Sequence, residues 1–172
     1  ESYDSPLGAG TGAAVIFGTT GGVMEAALRT VAEVVLGEEI ADVEYNDVRG
    51  MEQTREAVIK VGEAEVKIAV VHTLASAKKM LDRIKEGTAD YHLIEVMACP
   101  GGCIGGGGQP VPVSDEIRQK RREALFECDR ANELRKSHEN PEIKVLYDTW
   151  LGKPLGEKAH SLLHTHYSEQ KR

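Results

Sequence analysis

The chain has 172 residues, of which 41% are hydrophobic, and a formal net charge of −7. This length and composition are sufficient for one compact domain with a real core. The acidic balance, with the basic run 118–122 flanked by Asp115, Glu116 and Glu123, argues against nucleic acid or an anionic membrane surface as a partner.

No apolar run approaches the roughly 20 residues that a membrane-spanning helix needs, and the first residues lack the basic and apolar regions of a secretory signal. The three cysteines do not form a disulfide framework, which favours a reducing compartment. We therefore expect a cytoplasmic protein without a membrane partner.

The first third of the chain predicts a loop, a glycine turn and a helix. Residues 1–12 are polar and glycine-rich, and a short apolar run at 13–17 leads into the turn Gly18 to Gly22. Apolar residues then recur at helical spacing from Val23 to Leu36. The backbone N–H groups of such a helix start could face an anion, or the glycines could simply form a tight turn before a capped helix. No Lys-Ser or Lys-Thr pair follows them, so the turn is not a Walker loop.

The middle of the chain predicts strands around one helix. A short strand is expected at 43–48, and two further strands at 54–61 and 65–72 are joined by a hairpin. A helix with Ser76 as its N-cap then precedes a strand at 91–97. A strand, helix and strand in this order form a right-handed crossover with parallel strands in almost all proteins.

The chemistry concentrates at Ile94 to Pro110, IEVMACPGGCIGGGGQP, where an apolar run breaks into a loop with two cysteines and six glycines. Thiolates are the usual ligands of iron–sulfur clusters, and glycines let the backbone approach a bulky inorganic group. In open α/β sheets, ligands collect beyond the carboxyl ends of the strands, where this loop falls. Cys99 and Cys103 therefore predict a cluster site, although a [4Fe–4S] cluster normally takes four protein ligands.

The third thiol, Cys128, lies in a charged helix predicted from Asp115 to about Lys136, with Ser114 as its N-cap. It falls on a narrow apolar stripe, so we interpret it as a buried, inert thiol and not as a third ligand. The charged run 118–122 is typical of a solvated helix face.

Beyond Asn140-Pro141, the tail predicts two short helices at 142–151 and 157–164. Its three histidines form an H-x3-H-x-H set, and His160 and His164 would share a helix face as metal-binding pairs do. Because no fourth ligand accompanies His160, His164 and His166, we favour a structural role for them over a zinc site.

Five motifs resemble, in order, those of the [FeFe]-hydrogenase catalytic domain. EVMACPGGCIGGGGQP resembles its third cluster-binding motif, and FGTTGGVMEAALRT at 17–30 resembles its second signature. DVRG at 47–50, SHENP at 137–141 and LGKPLGEKAHSLLHTHY at 151–167 are also similar to that family. The resemblance covers nearly the whole chain, whereas the family's two earlier cysteine motifs have no counterpart in this sequence.

The resemblance implies an H-cluster, in which a [4Fe–4S] cluster is bridged through a cysteine sulfur to a diiron unit. Cys99 would bind the [4Fe–4S] part, and Cys103 would provide the bridging sulfur. No catalytic acid or base is assigned to the chain. The cofactor pocket would be lined by Phe17, Gly18, Val23 and Met97.

The implied activity is the reversible reduction of protons to H2. The chain would need a complementary N-terminal segment or subunit and would be inactive alone, while ferredoxin or a nicotinamide-linked subunit would exchange electrons with it. The alternative is a non-catalytic relative that works in iron–sulfur cluster assembly or H2 sensing. A thiol redox module would instead be expected to use Cys-x-x-Cys at a helix start.

The expected fold is α/β, with a mostly parallel twisted sheet flanked by helices, as in one lobe of that catalytic domain. This lobe would span residues 1–136. A helical C-terminal tail, residues 137–172, would pack on it.

Overall fold

The computed structural model describes residues 8, 10–37, 39 and 43–168. The chain forms two compact units, one spanning Gly10–Ser137 and the other containing the described parts of Glu1–Ala9 and His138–Arg172. The predicted division into domains 1–136 and 137–172 stays a prediction. Nothing in the described part of the chain is both long enough and apolar enough to form a membrane-spanning helix.

The larger unit is built on a sheet of three strands, β1 (Thr54–Val61), β2 (Ala64–His72) and β3 (Leu93–Met97), in that spatial order. β1 and β2 are antiparallel and are joined at Gly62, whose φ of 61° suits a two-residue hairpin turn. β2 and β3 are parallel, as the predicted crossover requires. The α/β class is confirmed, and the sheet is mixed because one of its two strand pairs is antiparallel.

Two helices cover opposite faces of the sheet. Successive side chains of a strand point to opposite sides, so alternate residues of β2 pack with different helices. Ile68 and Val70 of β2 pack with Met24 and Leu28 of helix α2 (Gly22–Leu36). The intervening Ala69 and Val71 pack with Ala77 and Met80 of helix α3 (Leu74–Lys85). The central strand is thus buried on both faces at its C-terminal end, which explains its nearly continuous apolar sequence.

The remaining described helices are short, apart from one that follows the cysteine loop. A single turn, α1 (Gly12–Val15), precedes α2, and α4 (Asp115–Arg130) begins at Ser114, whose hydroxyl accepts a hydrogen bond from the N–H of Ile117 at 3.2 Å. This N-cap was predicted correctly, whereas the helix ends about six residues earlier than expected. The second unit contains α5 (Pro141–Leu146), a π-helical turn (Tyr147–Leu151) and α6 (Glu157–Leu163), which confirms the helical C-terminal region.

Two local predictions were wrong. The stretch 43–48 is not a strand, since Asn46–Val48 forms a 3-10 turn and arginine side chains bind two of its carbonyl groups. Arg29 Nε donates to the Val43 oxygen at 2.9 Å, and Arg55 Nε to the Val48 oxygen at 3.1 Å. The N-cap of α3 is Thr73 and not Ser76, because the Thr73 hydroxyl accepts the hydrogen bond from the Ser76 N–H at 3.3 Å.

A buried ionic network joins α2 to α4. The Arg29 guanidinium, with the whole residue only 1% exposed, contacts Glu25 and Asp129 at 2.7 Å each. Glu25 also pairs with Arg49, and Asp129 with Arg135 at 2.6 Å. Burial opposes ionisation of Asp129, but hydrogen bonds from the two arginines lower the pKa of its carboxyl group. Each buried charge of this network therefore has an opposite charge within hydrogen-bond distance.

We predict that Arg29→Met lowers the free energy of unfolding by about 3–5 kcal/mol, because it leaves two buried carboxylates without their shared partner. The matched control is Arg83→Met, which removes an ion pair with Glu56 whose two side chains are each 41% exposed. Urea unfolding should show a loss in the first variant and near-native stability in the second. Equal stability of the two variants would contradict this role of Arg29.

Candidate cluster-binding site

The cysteine loop begins where β3 ends at Met97 and folds as consecutive tight turns. The Gly102 N–H donates to the Cys99 carbonyl at 3.0 Å, and the Gly106 N–H donates to the Cys103 carbonyl at 3.1 Å. Cys99 is partly exposed, Cys103 is exposed, and both are free thiols. The loop therefore presents two thiols beyond the carboxyl end of a sheet strand, as the sequence predicted.

Gly102 allows the loop to pack closely against the turn before α2. Its φ is 93°, and a Cβ atom there would lie 2.7 Å from the Met97 sulfur and 2.8 Å from the Thr20 nitrogen. The neighbouring Gly101 carbonyl accepts a hydrogen bond from the Thr20 N–H at 3.0 Å. Any side chain at position 102 would therefore separate two segments that are about 80 residues apart in sequence.

The structure brings two of the four predicted lining residues to this contact. Met97 lies against Gly102, and a Cβ on Gly18 would lie 4.0 Å from Ile104, in the turn that contains Cys103. Phe17 is 45% exposed in the short 3-10 turn before α2, and Val23 is partly exposed in the first turn of that helix. Phe17 and Val23 thus flank, in the sequence, the turn that packs against the loop.

The start of α2 faces an anion, and that anion belongs to the chain itself. The Glu95 carboxylate accepts hydrogen bonds from the N–H of Gly21 at 2.6 Å and from the N–H of Met24 at 2.7 Å. A carboxylate at this end of a helix is favoured by the helix dipole and by the free N–H groups. Sequence reasoning missed this residue, although a glutamate inside the apolar strand sequence LIEVM was the available signal.

Burial raises the pKa of Glu95, and this effect is larger than the lowering caused by hydrogen bonds from Gly21 and Met24. The residue is 7% exposed, so its carboxylate has lost most of its hydration. The site is therefore built around a buried acid that two backbone N–H groups hold in place.

Arginines of α4 hold the far side of the cysteine loop, so the predicted solvated face at 118–122 was wrong for them. Arg121 donates from Nη1 to the Ile104 carbonyl at 2.8 Å and from Nη2 to the Pro110 carbonyl at 3.0 Å. A Cβ on Gly105 would meet the Arg118 Cδ at 2.8 Å. Loop carbonyls need donors, and one planar guanidinium can serve two of them.

The interpretation of Cys128 as a buried thiol was also wrong, because the residue is exposed. The buried residues of α4 are Phe126 and Asp129. The ion pairs of Asp129 with Arg29 and Arg135 turn that side of the helix inward. A buried charged pair, which apolar periodicity does not reveal, thus decides which face of α4 is covered.

Among the described residues, no group of three or more His, Cys, Asp or Glu side chains is arranged to hold a metal ion. This includes the tail histidines, where the His160 and His164 rings stack with their centroids 4.3 Å apart. The two thiols of the cysteine loop therefore have no third ligand in the described part of the chain.

These features define a class of protein: an α/β scaffold with a glycine-lined thiol loop suited to an inorganic cluster. Residues 1–107 match the family model for the iron only hydrogenase large subunit, C-terminal domain, and residues 115–170 match the model for the iron hydrogenase small subunit. The chain belongs to the iron-only hydrogenase family, and the resemblance seen in its motifs is confirmed.

Several curated proteins are similar over most of the chain. The NADP-reducing hydrogenase subunit HndD of Solidesulfovibrio fructosivorans is 54% identical over 100% of this chain and 29% of its own length. Iron hydrogenase 1 of Clostridium pasteurianum is 39% identical over 96% of this chain and 30% of its own length. The cytosolic iron-sulfur assembly component 3 of Rattus norvegicus is 32% identical over 87% of this chain and 31% of its own length. The chain thus spans less than a third of these relatives.

A solved structure shares the fold. A variant of the [FeFe]-hydrogenase HydA1 from Chlamydomonas reinhardtii matches with a TM-score of 0.70 and 42% sequence identity. The match covers 96% of this chain and 48% of that chain. The expected relation to the hydrogenase fold is thereby confirmed.

We predict that Gly102→Ala lowers the free energy of unfolding by about 1–3 kcal/mol, since the new methyl group has no space and the backbone has positive φ. Gly107→Ala is the matched control in the same loop, because a Cβ there meets no atom within 4 Å and its φ is not positive. Thermal or urea unfolding of both variants measures the difference. A Gly102→Ala protein as stable as Gly107→Ala would contradict the close packing of loop and turn.

The buried carboxyl group of Glu95 makes the stability of the protein depend on pH. Because the pKa of Glu95 is raised in the folded state, its contribution to stability is fully present below the pKa of the unfolded chain and is lost as pH rises through the folded value. The stability of the native protein relative to Glu95→Gln should therefore fall as pH rises from about 4 to 7. Urea unfolding across this range, with Glu65→Gln as an exposed control, tests it. A relative stability that increases with pH would contradict the assignment.

Proposed function

We propose that the chain carries one half of a hydrogenase active site, at which protons are reversibly reduced to H2. The observation that carries this proposal is the pair of free thiols, Cys99 and Cys103, in a glycine-rich loop packed against the turn before α2. The names of the Solidesulfovibrio and Clostridium relatives, both hydrogenases, support the same activity.

The loop fits an iron–sulfur group in both donor chemistry and space. A Cβ on Gly106 would lie 3.2 Å from the Cys99 sulfur, so the absence of a side chain there leaves room beside a candidate ligand. Two cysteine thiolates are suitable iron ligands, but they are half of the four that a [4Fe–4S] cluster takes. The fit is therefore to one side of an H-cluster. By the motif resemblance, Cys99 would bind its [4Fe–4S] part and Cys103 would provide the sulfur shared with the diiron unit.

The protein would contribute ligation, positioning and exclusion of water. An apolar wall beside the cluster would be formed by Met97, Phe17 and Val23. At Gly18, the backbone would come close to the cluster. Thr20 and Arg121 hold the two sides of the loop through its carbonyl groups, which keeps the thiols at the end of β3. The bound cluster would supply the redox chemistry, since metal cofactors carry the reaction while the protein tunes them. We assign no proton carrier to this chain.

The missing ligands and the electron supply would come from partners. A complementary N-terminal segment or subunit would provide the other thiolates, in keeping with relatives more than three times as long as the chain. A nicotinamide-linked subunit is supported by the name of the NADP-reducing relative, and ferredoxin is the other candidate. We propose a cytoplasmic location, although the family includes a protein named as periplasmic in Nitratidesulfovibrio vulgaris.

A non-catalytic role in cluster assembly is the second candidate. It is favoured by the rat assembly component, which is 32% identical over 87% of the chain. The GGVMEAALR and GGGGQP sequences favour the hydrogenase instead, because both signatures resemble those of active enzymes. Hydrogen sensing would use the same site, and hydrogen uptake with a dye acceptor separates turnover from both non-catalytic roles.

Iron and acid-labile sulfide per chain test the proposal on protein purified anaerobically. We expect little iron and no hydrogen uptake for the chain alone. Co-expression with the remainder of the Solidesulfovibrio relative, outside the matched region, in a host that makes the diiron unit, should restore both. Cys99→Ser and Cys103→Ser should each remove the restored activity, while Cys128→Ser should leave it unchanged.

Two results would overturn the proposal. A full complement of cluster iron on the chain alone would show that it holds more ligands than Cys99 and Cys103. Iron without hydrogen uptake in the restored complex would favour the assembly or sensing role.

A further inference from the structure

A buried histidine lies directly behind the cysteine loop. His72, the last residue of β2, is 4% exposed, and both of its ring nitrogens have backbone partners. Nδ1 accepts a hydrogen bond from the Gly101 N–H at 3.2 Å, and Nε2 lies 3.1 Å from the Met51 carbonyl oxygen. Because an amide N–H can only donate and a carbonyl can only accept, these contacts require a neutral ring with its hydrogen on Nε2.

Gly101 is the point at which this contact acts on the loop. It lies between the two cysteines, and its φ is 77°. Its N–H is held by His72, while its carbonyl is held by the Thr20 N–H at 3.0 Å. The loop is thereby fixed between β2 on one side and the turn before α2 on the other.

An open cleft of about 730 Å³ borders this side of the loop. Its walls include His72, Pro100 and Gly101, together with the charged side chains Asp115, Glu116 and Arg118 of α4. Gly101 itself is closely packed, since a Cβ there would lie 2.8 Å from the Met51 Cε and 3.2 Å from the Arg118 Cδ. The hydrogen bond to His72 adds a directional contact to this packing.

We propose that His72 is a positioning residue, which sets the placement of the Cys99–Cys103 loop through a neutral imidazole acceptor. The inference rests on the proposed function only in taking this loop to be the ligand-bearing one. His72 touches neither thiol, and it acts through the Gly101 backbone.

The two hydrogen bonds of His72 can be separated by substitution. In His72→Asn, the amide oxygen occupies the place of Nδ1 and can still accept from Gly101, but the side chain is too short to reach Met51. In His72→Gln, the longer side chain places its amide near Met51 and has no acceptor at the Nδ1 position. His72→Leu removes both contacts at a similar volume.

The test uses the reduced, metal-free chain and measures hydrogen exchange at the Gly101 amide and the alkylation rate of Cys99. We expect His72→Asn to resemble the native protein. His72→Gln and His72→Leu should lose about tenfold in Gly101 protection and show faster Cys99 alkylation, since a hydrogen bond has been removed. The exposed thiol of Cys128 is an internal standard whose rate should not change.

His92→Leu is the matched control variant. His92 Nδ1 also accepts a backbone hydrogen bond, from the Lys67 N–H at 3.0 Å, but it lies just before β3 at the opposite end from the cysteine loop. Its loss should leave Gly101 protection and Cys99 alkylation at native values.

Nitrogen NMR provides the decisive signature. We expect the ring hydrogen of His72 on Nε2 and a scalar coupling through the hydrogen bond between Nδ1 and the Gly101 nitrogen. A ring hydrogen on Nδ1, a doubly protonated ring, or a Gln variant as well protected as the Asn variant would overturn the proposal. These measurements need no iron, so their failure is distinct from a failure of the hydrogenase proposal.

Discussion

The buried carboxylate of Glu95 is the contact on which the site depends. It extends from β3, two residues before Met97, and binds the N–H groups of Gly21 and Met24 at the start of α2. The strand that leads into the thiol loop is thereby joined to the turn against which that loop packs. Burying a carboxylate is costly, and two short hydrogen bonds from a helix N-terminus offset part of that cost. The contact also leaves no need for an external anion at this helix start.

The ionic network around Arg29 extends this arrangement to α4. Arg29 lies on the same helix whose first turn holds Glu95, and it fixes α4 through Asp129. α4 in turn carries Arg121, which binds the carbonyl groups of Ile104 and Pro110. The cysteine loop is therefore held by the turn before α2, by α4 and by β2, and each of these attachments is made to its backbone. The thiols themselves remain free to bind a ligand.

Sequence reasoning predicted what depends on local pattern. The hairpin at Gly62, the parallel crossover into β3 and the thiol loop at its carboxyl end all follow from periodicity and glycine placement. The predictions failed where long-range polar contacts determine the local structure. Arginine side chains bind two carbonyl groups of the expected strand at 43–48, and the ion pairs of Asp129 turn Cys128 outward. Neither Glu95 nor His72 has a partner nearby in sequence, so their roles required the fold.

We propose that Cys103 would share its sulfur with a diiron unit within a site that another segment completes. Infrared spectroscopy of the chain, assembled with the remainder of the Solidesulfovibrio relative, tests it most directly, because carbonyl and cyanide ligands on iron absorb where protein does not. We expect these bands in the native assembly and their absence in Cys103→Ser. Unchanged bands in that variant would contradict the bridging role, and no bands in the native assembly would contradict the site itself.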